Sequence, residues 1–72
     1  EKDLAKYREM RQRVEDVISQ LSNKKWQIIM RYRYINGLTF EDIALSLGND
    51  IRHIYRVHGW ALEELRKKIT FL

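Results

Sequence analysis

The chain has 72 residues with no cysteine and no proline, and its 14 basic and 10 acidic side chains leave a net charge of +4. That is one domain near the lower size at which a single core suffices, with neither a disulfide nor a bound zinc to hold it. Two Trp, four Tyr and two Phe in a 44% hydrophobic composition supply a core; no apolar run approaches the ~20 residues of a membrane span and no signal-peptide pattern opens the chain, so the expectation is a cytoplasmic protein without a membrane partner.

Nothing alternates with strand period, so the expected class is all-α: a compact bundle of about four helices in a single domain, residues 1–72. The first helix is expected over residues 2–20. Tyr7, Met10, Val14, Val17 and Leu21 follow a 3-4-3-4 spacing and make one narrow stripe. Two readings fit that stripe: a helix packed on its own domain, and a coiled coil that joins two copies into a homodimer.

Ser22 is the expected N-cap of a second helix over residues 23–35. Trp26, Ile29, Met30 and Arg33 lie along one side and Ile28, Tyr32 and Ile35 along another, with Lys24, Gln27, Arg31 and Tyr34 left for the outside. Two apolar lines suit a central helix with neighbours on both sides. Asn36 and Gly37 end it, because glycine accepts the left-handed conformation without steric cost.

Thr39 opens a third helix with Asp42 in capping-box position. Phe40, Ile43, Ala44 and Leu47 form its buried side, and Gly48 stops it after barely two turns. Asn49 and Asp50 supply a turn and the N-cap of a fourth helix over residues 51–69. Its expected buried stripe is Ile54, Val57, His58, Ala61, Leu62, Leu65 and Ile69. The opposite face collects Arg52, Arg56, Gly59, Glu63 and Lys67, with His53 and Trp60 beside them.

A short helix, a glycine-containing turn and a long helix with a basic start form a helix-turn-helix, here over residues 39–65. The long helix fits the major groove, and side chains on its first turns meet base edges. The candidates there are Ile51, Arg52, His53, Tyr55 and Arg56; each arginine can hold a guanine with two hydrogen bonds. Charge placement agrees. Residues 22–38 carry four bases and no acid, and residues 49–72 carry five bases against three acids, whereas the acids and bases of residues 1–21 cancel. Candidate phosphate contacts are Arg31 and Arg33, the amides at Thr39 and Phe40, and Arg66 and Lys67 near the chain end.

The run GLTFEDIALSLGNDIRHIYRVHGWALEEL resembles the C-terminal DNA-binding region, region four, of bacterial sigma factors. Gly37, Leu38, Thr39, Phe40, Glu41, Asp42, Ile43, Ala44, Leu47, Gly48, Ile54, Ala61, Leu62 and Leu65 stand where that family has its pattern. Upstream, WQIIMRYRYING is similar to the helix that precedes the family's motif, and the likeness extends over residues 21–65. A chain of this length looks like the region-four-like regulators encoded by phages. The resemblance implies double-stranded DNA as partner, transcription regulation as role, and RNA polymerase as a further partner. It also implies that Ile51, Arg52, Tyr55 and Arg56 occupy the promoter-contacting places. Ile51 and Tyr55 stand where the family often has polar or basic residues, and Arg52 where it has an acid or a small polar one, so known base preferences do not transfer. Gly59 and Trp60 are also departures. Gly59 costs about 1 kcal/mol against alanine in a helix and serves close backbone approach, a bend, or nothing. Trp60 suits a protein or DNA contact and, equally, packing against the first helix.

No nucleophile–base–acid set, phosphate loop or metal-ligand cluster stands in the sequence, and His53 and His58 are five apart, off a shared helical face. The reading is of a binding module without cofactor or metal, not an enzyme.

Overall fold

A computed structural model describes the backbone of residues 2–69 and the side chains of residues 8–68. Four helices follow one another: α1 Lys2–Ile18, α2 Lys24–Tyr34, α3 Phe40–Leu47 and α4 Ile51–Ile69. The chain is all-α, as its periodicities require. The expected core positions Tyr7 and Ile69 lie outside the described side chains.

Side-chain and glycine caps set the boundaries. α1 ends two residues before the expected limit. Gln20 N–H donates to the Val17 carbonyl and Leu21 N–H to that of Ile18, tightening the chain so that Leu21 turns into the core. The N-cap of α2 is Asn23 rather than Ser22. Asn23 has extended backbone angles, and its side-chain oxygen accepts from both Lys25 and Trp26 N–H, two donors that otherwise lack an intrahelical partner. Ser22 instead gives its own N–H to the Glu64 carboxylate on α4.

Thr39 caps α3 through Oγ1, which accepts from Asp42 N–H at 3.1 Å. Gly48 closes it at φ 66°, while Asn49 N–H reaches back to the Ala44 carbonyl. Residues 48–50 thus turn the chain into α4, whose first amides are met by Asp50: its carboxylate accepts from Arg52 N–H at 2.8 Å.

Two buried clusters lie side by side. Ile18, Leu21, Met30, Ala61 and Leu65 join α1 to α2 and α4. Ile29, Ile43, Ala44, Ile54 and Val57 join α3 to the same pair. Both depend on α2 and α4, and Trp26 packs against both. The expectation of a central second helix with neighbours on both sides therefore holds, although Ile28 of its second apolar line is exposed.

Other positions differ from the simple stripes. Met10 is 63% exposed, whereas Ile18, which the stripe leaves out, is 2% exposed. Among the described side chains, the α1 seam runs through Val14, Val17 and Ile18. Gln27 is half-buried rather than outside, and its amide donates to the Leu21 carbonyl. Leu62 is exposed because it borders an open apolar trough of about 280 Å³, which Val14, Val17, Met30 and Tyr34 also line. Among the described residues, no helix is long and apolar enough to cross a membrane.

Candidate nucleic-acid interface

Of the five candidate base-reading residues, the structure brings Arg52, Tyr55 and Arg56 together on the exposed side of α4. Arg52 and Arg56 are one turn apart, about 6 Å along the axis. Neither guanidinium has a partner among the described residues. Tyr55 is exposed as well, but its ring is tilted against Phe40 at 5.0 Å between centroids. His53 is half-buried on the other flank. Ile51 does not join this face. It is half-buried and packs with Leu47 and Phe40 around the α3 cluster, because the first residue of α4 must close the turn against α3.

The other arginines of α2 and α4 are committed within the chain. Arg31 Nε donates to Glu15 Oε1 at 2.7 Å, tying α2 to α1. Arg33 donates to the Leu38 carbonyl at 3.1 Å and lies over the Phe40 ring, 4.8 Å from its centroid. Arg66 is paired with Glu63 at 2.6 Å. Three candidate phosphate contacts thus have internal partners, which a phosphate would have to displace. Thr39 and Lys67 are exposed, and Phe40 is half-buried.

Phe40, expected as a buried position and an amide for phosphate, is also the hub of a cluster that sequence reasoning missed. Its ring takes the Arg33 cation and Tyr55, and it meets the edge of His58 at 4.9 Å. His58 in turn shares a 2.6 Å hydrogen bond with the Tyr34 hydroxyl and stacks on that ring. Burial first, and the Arg33 charge second, push the His58 pKa down. No spacing rule links residues 33, 34, 40, 55 and 58, since they come from three helices. The one signal available was an aromatic at the first position of α3, where a side chain can reach both neighbours.

No family model, no curated protein and no solved structure matches the chain. What the surface can do must therefore be read from its own chemistry. Arg52 and Arg56 offer two forked donor sets to planar acceptors, and Tyr55 offers an apolar ring and a hydroxyl. Among the described residues, no three His, Cys, Asp or Glu side chains converge where a metal ion could be held.

Proposed function

We propose that this chain is a sequence-specific double-stranded-DNA-binding module, acting as a transcription regulator or sigma-like factor that reads the major groove with α4. One observation carries the reading. The arginines of α2 and α4 divide into three held by internal partners, Arg31, Arg33 and Arg66, and two without a partner among the described residues, Arg52 and Arg56. The latter pair sits on the first turns of the helix that follows the glycine turn, where a groove-bound helix meets base edges. The resemblance to region four of sigma factors, and to its phage-encoded relatives, supports the same role. The run of four bases without an acid over residues 22–38 adds positive charge, although Arg31 and Arg33 within it have internal partners. The module is read as a binding protein rather than an enzyme.

The test is selection of bound duplexes from a random pool, repeated with Arg52→Ala and Arg56→Ala. Enrichment of one sequence by the parent chain, relaxed at defined positions in each variant, is the expected result. An unenriched pool, or one unchanged in the variants, removes the base-reading role.

A second reading, a module that docks on RNA polymerase or pairs with another copy, has one observation in its favour. The trough beside Leu62 is nearly all apolar and open. Leu62→Glu should abolish such docking and leave DNA binding intact.

A further inference from the structure

Trp26 and Trp60 lie against each other with ring centroids 6.0 Å apart, although Trp60 is 49% exposed. The contact sets the first turn of α2 beside the third turn of α4, and two exposed lysines, Lys24 and Lys25, stand at that turn. At 100° per residue, Tyr55 and Trp60 fall on opposite sides of the Arg52–Arg56 line, about 140° apart around the helix. Tyr55 touches Phe40 at the start of α3, and Trp60 touches Trp26 near the start of α2. The reading face is therefore banked by one helix start on each side.

A helix seated in a major groove ~12 Å wide has a phosphate backbone along each edge. The bank at α3 brings a capped helix start with Glu41 and Asp42 in its first turn. The bank at α2 has no acid in its first turn. Both acids in the C-terminal half of α4 are already engaged: Glu63 by Arg66, and Glu64 by Lys68 and by Ser22 N–H. The Lys24 and Lys25 ammonium groups have no partner among the described residues.

We infer that Lys24 and Lys25 contact the DNA backbone on the α2 flank of α4, with the Trp26–Trp60 pair as the bracket that holds them there. This rests on the DNA-binding reading and adds to it a second line of phosphate contacts outside the helix-turn-helix. Both lysines carry charge without base information, so they add affinity evenly across sequences.

The experiment is a fluorescence-anisotropy titration of a labelled duplex over a series of NaCl concentrations, with the selected sequence and a scrambled one. The Lys24→Ala/Lys25→Ala double variant should lower the slope of log affinity against log salt by about 2, equally for both duplexes, and keep the parent's preference between them. Arg8→Ala/Arg11→Ala removes the same charge from the exposed part of α1 and should change the slope by less than half as much. A slope unchanged by the lysine variant, or changed equally by the α1 control, overturns the inference. The base-reading role fails separately, if the parent chain does not distinguish the two duplexes; the slopes on either duplex still decide the lysines.

Discussion

The Tyr34 hydroxyl and His58 Nε2 meet at 2.6 Å, joining the end of α2 to the second turn of α4 directly behind the reading face. Phe40 closes the other side of the same imidazole, and Arg33 lies over the Phe40 ring. A neutral histidine suits this place, because a protonated one would be half-buried beside a guanidinium.

Stability should therefore fall as the solution is acidified. The His58 pKa is lower in the folded chain than the ~6.5 of an unfolded one, so the unfolded state binds the proton first. The contribution is fully present above that unfolded value and is lost as pH falls through the folded one. The urea midpoint should drop between pH 7.5 and pH 5, and His58→Gln should flatten that drop. Glu63 and Glu64, whose pKa values are lowered by Arg66 and Lys68, act at lower pH and do not overlap the window. An unchanged pH dependence in His58→Gln would refute the assignment.

Two glycines of the helix-turn-helix should answer alanine in opposite ways. Gly48 sits at φ 66°, so Gly48→Ala should cost about 1–2 kcal/mol in left-handed strain. Gly59 is inside α4 and, among the described residues, no other element comes within 4 Å of where a Cβ would stand, so Gly59→Ala should gain about 1 kcal/mol in helix propensity. Thermal melts of the two variants test this. Gly59 also lies beside Arg52 and Arg56 on the outer face, so a more stable Gly59→Ala that binds DNA less well would reveal a close backbone approach by the duplex.

In α1, burial rather than stripe membership should set the cost of truncation. Ile18→Ala removes a 2%-exposed side chain from the buried cluster and should cost about 2–4 kcal/mol. Met10→Ala, on an exposed side chain, should stay within about 0.5 kcal/mol. Denaturant midpoints compare the two directly, and equal losses would place the α1 seam elsewhere.

The two classes of arginine should separate in paired measurements. Arg52→Ala and Arg56→Ala should each lose about 1–3 kcal/mol of discrimination for the selected duplex with no change in melting temperature. Arg33→Ala should do the reverse, lowering the melting temperature through loss of the Leu38 hydrogen bond and the Phe40 contact. A melting temperature that Arg33→Ala leaves unchanged would return this arginine to the phosphate-contact set.

Much of the architecture was legible because it is governed by neighbours in sequence. Thr39 capping α3, Gly48 closing it and Asp50 meeting the first amides of α4 are relations over two to four residues, and each holds. The 3.6-residue period likewise put Ile43, Ile54, Val57, Ala61 and Leu65 inside. Even the small error at Ser22 is local, a contest between two good caps won by the one that reaches two amides.

What tertiary structure alone decided is which side chains are spent and which are left over. Helical period put Arg31 outside and Arg33 on an apolar side, but only packing revealed Glu15 opposite the first and Phe40 under the second. The same holds for Leu62, exposed because α1 leaves a trough beside it, and for Trp60, whose ring meets Trp26 of α2. A helical face follows from spacing; its partners depend on how three other helices cross it, and no short-range rule encodes those crossings.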